Sequence, residues 1–181
     1  MSKILALDLS TKRSGWAFKI DNQAIQYGAI SSSSTSVEKR IIIMRDEIIK
    51  IIQNNNIEEV IIEEVRPDGT NNHTGKVLTW LQGCIAVAIY EYNKNIKINF
   101  IGPSSWRSVL GIQGYRIKRE QQKIKDIEYA KAAAQAELTL TQDDEADAIC
   151  ILLAYLKDKE KLNIQEIKGK LPAIGDSKSA F

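Results

Sequence analysis

The chain has 181 residues, 44% of them apolar, with 10 glycines, 3 prolines and a formal net charge of +2. Against roughly 150 residues per domain this is one domain with a real core, and the composition excludes collagen-like, mucin-like and wholly disordered chains. A charge balance this near neutrality leaves any affinity for a polyanion to the placement of the basic residues.

Residues 3–9 are mostly apolar with an acid near the end, which predicts a central strand delivering Asp8 to its rim. Residues 15–20 and 24–30 are short strand-like runs with a polar break between them, and 10–14 has the composition of a turn. Connections this short predict three adjacent antiparallel strands. The serines of 31–36 offer an N-cap to a periodic run at 37–53, read as a helix that Asn54-Asn55-Asn56 ends. Residues 59–64 return as a β-branched strand with carboxylates at its exit. A loop rich in Pro, Asp, Gly and Asn leads to a helix at 73–93, followed by a strand at 97–101. Helices are predicted at 106–110, 117–137 and 143–157. From 159 to 181 the composition predicts a loosely held tail, leaving 1–158 as the domain. The reading is an α/β fold: a mixed five-stranded sheet, its first three strands antiparallel, flanked by helices.

The longest apolar run, 84–90, falls far short of the roughly 20 residues that cross a bilayer, and Asp8 interrupts Ile4-Leu5-Ala6-Leu7 before it reaches signal-peptide length. The expectation is a cytoplasmic protein with no membrane partner. Cys84 and Cys150 have no Cys or His at metal spacing, so both read as buried reduced thiols. In the helix at 73–93, Val77, Leu78, Trp80, Leu81, Cys84, Ile85, Val87, Ala88 and Ile89 cover most of the circumference. One sheet cannot bury all of that, which points to a homodimer formed through this helix.

Four acids fall where these elements would bring them together: Asp8, Glu63, and Asp144 with Asp147, three apart on one helix face. Without a counter-charge such a cluster repels itself, so convergence implies a bound cation, and oxygen-only ligation selects Mg²⁺ or Mn²⁺ over zinc. Two such ions about 4 Å apart are a standard arrangement for phosphodiester hydrolysis, needing neither a His nor a Ser nucleophile, in keeping with a single histidine. Taken singly, Asp144 is equally a helix cap, and Glu63 with Glu64 a solvated strand end. Arg107, Arg116, Lys118, Arg119, Lys123 and Lys125 crowd one stretch broken only by Glu120, either a solvated helix face or a phosphate-binding surface with steep salt dependence. Tyr115 either stacks on a base or packs on its own turn. His73 positions a phosphate or water, or is an idle loop residue.

These residues also carry a resemblance. Ile4-Leu5-Ala6-Leu7-Asp8 with Thr11 and Gly15-Trp16, Ile61-Ile62-Glu63-Glu64-Val65, Pro103-Ser104-Ser105-Trp106-Arg107 through Gly114 to Lys118, and Asp144-Glu145-Ala146-Asp147-Ala148 resemble, in order, the RuvC-type Holliday-junction resolvases, especially phage-encoded ones, within the ribonuclease-H-like superfamily. The resemblance implies a ribonuclease-H-like fold and two Mg²⁺ ions (Mn²⁺ substituting) held by Asp8, Glu63, Asp144 and Asp147. It makes Lys118 a catalytic lysine near the scissile phosphate and places Arg107 at another basic position of the family. It implies a homodimer that nicks four-way junctions symmetrically to 5′-phosphate and 3′-hydroxyl ends, in recombination and repair, without a small-molecule cofactor. DNA contacts would fall to Arg66, Arg107, Tyr115, Arg116, Lys118, Arg119 and Lys123. The chain departs from the family at Leu9-Ser10, often Pro-Gly, and at Arg66, where some members carry a base-stacking aromatic; a broader taste for branched DNA, including forks, follows. Two other readings stand beside it: a branched-DNA-binding module without catalysis, and an actin-like phosphotransferase using Ser10-Thr11-Lys12, which would need a duplicated domain and a second phosphate loop.

Overall fold

The order along the chain is β1 (Ile4–Asp8), β2 (Arg13–Lys19), β3 (Gln26–Ser31), α1 (Val37–Asn55), β4 (Glu59–Glu63), α2 (His73–Tyr92), β5 (Lys97–Ile101), α3 (Pro103–Leu110), α4 (Arg119–Ala134) and α5 (Asp143–Lys170). The computed structural model describes residues 3–20, 24–65 and 73–170, with side chains as far as Glu160. The strands form one sheet in the order β3-β2-β1-β4-β5; β1, β2 and β3 are antiparallel, while β1, β4 and β5 are parallel.

Alternation divides the core. Successive strand side chains point to opposite faces, so Leu5, Leu7, Val60 and Ile62 pack with Met44, Ile48 and Ile52 of α1 and Leu81, Ile85 and Ile89 of α2. On the other face Ile4, Ala6, Ala17 and Ile61 pack against Trp106, Ile127 and the apolar side of α5. Ser36 caps α1, its Oγ accepting from the Lys39 N–H at 3.2 Å, and Asn56 closes the helix in the left-handed region at φ 50°.

Three helices depart most from the sequence expectation, α4 also ending at Ala134 rather than 137. α3 starts at Pro103, because a proline at the first helical position is favourable rather than disruptive. α4 starts at Arg119, with Lys118 extended at its N-cap and Arg116 at φ 54°. α5 does not stop near 157 but runs to Lys170: no Gly or Pro breaks it before Gly169, and the turn that passes 158 is anchored. There Glu59, only 4% exposed, accepts from Asn99 Nδ2 at 3.0 Å and Tyr155 Oη at 2.6 Å and pairs with Lys159. Burial alone would raise this carboxyl, but the three donors together hold it below its usual range. The network lies at the end of β4 opposite Glu63 and fastens α5 along the sheet.

Cys150 is buried and Cys84 half-buried. α2 buries Val77, Leu81, Ile85 and Ile89 and leaves Trp80, Val87 and Tyr90 more than half exposed. Among the described residues no helix is long and apolar enough to cross a membrane.

Candidate active site

The alternation that builds the core also aims the acids. Asp8 follows Ile4 and Ala6 in parity, and Glu63 follows Ile61, so both point to the face covered by α5. The parallel pairing that matches Leu7 with Ile62 puts Asp8 and Glu63 at the next step of the register, at the carboxyl ends of adjacent strands, the usual ligand-binding edge of an open α/β sheet. The first turns of α5 bring Asp143, Asp144 and Asp147 to the same edge.

Gly15 permits that approach. It pairs with Asp8 across β1 and β2, and a Cβ built on it would stand 1.9 Å from the Asp144 carbonyl oxygen. Only a residue without a side chain lets the start of α5 lie on β2. Gly15→Ala therefore lowers the thermal midpoint by about 5–10 °C, since overpacking against backbone costs about 1–3 kcal/mol or more. A calorimetric scan matching wild type would refute this packing.

The acids line a cleft of about 760 Å³ together with Arg40, His73, Arg107, Arg119, Gln122 and Lys123. Burial pushes the Asp8 carboxyl well above the usual carboxylate range, with further repulsion from Glu63, Asp147, Asp144 and Asp143. Asp147 is likewise well raised, first by burial and then by Asp126, with Arg107 opposing. Burial also raises Asp144, helped by Asp143 and resisted by Arg13. Donors already engage several of these oxygens. Trp106 Nε1 donates to Glu63 Oε1 at 2.7 Å. Arg13 spans Glu145 and Asp144, the latter at 3.1 Å, and Lys123 pairs with Asp143. The Arg107 guanidinium lies 4.1 Å over the Trp106 ring, donates to Asp126 at 2.9 Å and comes within 3.5 Å of Asp147 Oδ2.

All four acids expected from the sequence thus line one cleft, as do Arg107, Arg119 and Lys123 of the basic stretch, and His73. Tyr115, Arg116 and Lys118 are exposed and do not line it. Tyr115 is 81% exposed, with Arg116 stacked 5.0 Å over its ring. Arg66 lies outside the described residues. Sequence reasoning missed Arg13, Arg40, Asp126 and the Trp106–Glu63 bond. Nothing local marks the first three, whereas a tryptophan beside Arg107 was at least visible as a buried side chain needing an acceptor for its N–H.

The donor set fits a hard divalent cation. It consists of carboxylates alone, and the buried Oδ1 of Asp147 has no hydrogen-bond partner, an oxygen oriented for something other than a protein donor. Among the described residues no three acidic, histidine or cysteine side chains are gathered closely enough to hold an ion as they stand. The contacts explain the spacing: Asp144 faces Arg13, Asp143 faces Lys123 and Glu63 faces Trp106.

Known structures share this architecture. Thermus thermophilus RuvC in complex with a Holliday junction substrate matches with TM-score 0.69 at 13% identity, over 89% of this chain and 96% of that one. Another Thermus thermophilus RuvC structure matches with TM-score 0.67 at 16% identity, over 88% and 96%. The yeast mitochondrial Holliday junction resolvase Ydc2 matches with TM-score 0.61 at 16% identity, over 94% and 85%. At such identities the likeness is one of fold, and that fold is the ribonuclease-H-like one expected from the sequence. No curated protein sequence matches the chain. A family model described as Lactococcus phage M3 protein matches residues 1–158, and the chain belongs to that family.

Proposed function

We propose that this protein is a metal-dependent, structure-selective endodeoxyribonuclease that resolves four-way junctions and also cuts other branched DNA such as forks, in the cytoplasm of a bacterial host. The observation that carries the reading is the meeting of Asp8, Glu63, Asp144 and Asp147 at one sheet edge, in a cleft that also holds Arg107, Arg119 and Lys123. Acids alone would repel a phosphodiester and cations alone would only bind it; together they suit its hydrolysis.

Asp8, Glu63, Asp144 and Asp147 would hold two Mg²⁺ ions, Mn²⁺ substituting. When bound, such ions supply an activated water and stabilise the leaving oxygen. The chain's own side chains do the rest. Trp106 fixes the direction of the Glu63 carboxylate. Arg119 and Lys123, one turn apart on α4, offer charge to the phosphates entering the cleft. Lys118, at the N-cap of the same helix, reaches DNA beyond the cleft edge with Tyr115 and Arg116, and Arg66 is a further DNA contact. A second copy docked on the exposed Trp80, Val87 and Tyr90 of α2 would give two sites related by a twofold axis, matching the symmetry of a four-way junction and leaving ligatable 5′-phosphate and 3′-hydroxyl ends.

One observation favours a second reading, a branched-DNA-binding module without catalysis: Arg107 and Arg13 already sit against Asp147 and Asp144. One assay separates the two. Labelled four-way junction, fork, linear duplex and RNA–DNA hybrid are incubated with Mg²⁺ or with chelator. The nuclease reading expects cutting of the junction and fork in Mg²⁺ alone, with the linear duplex and hybrid spared. Tight junction binding without cutting in Mg²⁺ would establish the binding module.

A further inference from the structure

Asp126 was invisible as a functional residue in the sequence, yet it is fully buried and both its oxygens are engaged. Oδ1 accepts from Gln122 Nε2 at 2.8 Å, and Oδ2 accepts from Arg107 Nε at 2.9 Å. Buried ion pairs contribute little net stability over apolar packing, so this one calls for another account. The Arg107 guanidinium supplies it, since it stands between two carboxylates. Its Nε is committed to Asp126, and its Nη2 only approaches Asp147 Oδ2, at 3.5 Å, beyond normal hydrogen-bond length. Asp147 Oδ1 is left bare as a result.

We propose that Asp126 is a positioning residue that draws Arg107 aside, so that Asp147 stays open to a divalent cation. Without a charge at 126, Asp147 becomes the nearest anion to Arg107. A guanidinium free to turn forms a two-pronged pair with a carboxylate, which would cover the bare oxygen and compete with the metal. Gln122 completes the brace: its Oε1 accepts from the Gly114 N–H at 2.8 Å while its Nε2 also donates to the Ile112 carbonyl at 3.1 Å. The loop after α3, the buried carboxylate and Arg107 are thereby held in one setting. This inference rests on the metal-dependent reading above.

The test is calorimetric titration of the full chain with Mg²⁺ alone, without DNA, on wild type, Asp126→Asn, Arg107→Gln and the double variant. Asn at 126 still accepts from Gln122 but turns an N–H toward Arg107 Nε, severing only the arginine arm. Asp126→Asn is expected to weaken Mg²⁺ binding about tenfold, or about 1.4 kcal/mol, and to have less than about a twofold effect in the Arg107→Gln background, the coupling that a cycle isolates. Equal weakening in both backgrounds would reduce Asp126 to a distant charge and overturn the proposal, as would no weakening in the single variant. Wild type that binds no Mg²⁺ would overturn the nuclease reading and this proposal together, an outcome distinct from variants that match a metal-binding wild type. A measurement on wild type stands whether or not the variants fold. The Arg107 Nε–H resonance, hydrogen-bonded to Asp126, is expected to persist through the Mg²⁺ titration, and its loss at saturation would overturn the brace.

Discussion

Asp8→Asn is expected to lower single-turnover junction cleavage by about 10²–10³-fold, the scale seen when a preorganised electrostatic group is removed from a reacting centre. Junction affinity, measured by fluorescence anisotropy in the same buffer, stays level or rises. The two halves of this expectation have one cause. Asp8 occupies the central strand, and burial together with four neighbouring acids opposes its ionisation; a bound cation would relieve that repulsion. The asparagine keeps the shape and removes the charge, so β1 and its pairing with Gly15 survive. DNA phosphates meet one fewer anion beside Arg107, Arg119 and Lys123, which can only help binding. Cutting at the wild-type rate by this variant would remove Asp8 from the reaction and overturn its assignment as a metal-holding acid.

What the sequence disclosed of this arrangement follows from the range of the forces involved. Period-two alternation in Ile4-Leu5-Ala6-Leu7-Asp8 and the β-branched run ending at Glu63 are local patterns, and they fixed both the strands and the face to which the acids point. The spacing of Asp144 and Asp147 on one helix turn is local as well. The partners of these acids are not. Arg13 meets Glu145 across 132 positions of sequence, and Trp106 meets Glu63 across 43; no periodicity encodes either. The basic stretch shows what a small difference in a helix boundary moves. A helix at 117–137 includes Lys118, whereas the actual start at Arg119 leaves Lys118 outside as the N-cap. Arg119, Gln122, Lys123 and Asp126, at helical spacing, then form the side turned to the cleft and α5. The length of α5 was misjudged for a related reason. A polar composition after 157 resembles a tail, but the buried Glu59 anchors the helix through Tyr155 and Lys159.

The buried carboxylates of this region predict how stability responds to pH, and the sign is opposite to that of most carboxylates. In the folded protein Asp8, Asp147, Asp144 and Asp126 are all raised, chiefly by burial. Above the ordinary carboxylate range the unfolded chain has released these protons while the folded chain still holds them. Stability from these groups is therefore complete below their unfolded values and is lost as pH rises through their folded ones. Glu59 acts in reverse: it is lowered by Lys159, Tyr155 and Asn99 against the effect of burial, and its contribution is lost as pH falls through its depressed value. Metal-free protein should thus be most stable in mild acid and weaken toward neutrality. A divalent ion that binds only the folded state takes over the role of the protons, adding about 2.7 kcal/mol at a hundredfold excess over its dissociation constant, about 5–10 °C for a chain of this size. Thermal unfolding in chelator should give a higher midpoint at about pH 5 than at about pH 7.5, and Mg²⁺ should raise the midpoint at the higher pH far more than at the lower. In Asp8→Asn, which removes one of the raised carboxyls, the decline in chelator should be shallower. A midpoint in chelator that climbs from mild acid to neutrality, or one at neutral pH indifferent to Mg²⁺, would mean that these carboxylates neither repel one another nor share an ion.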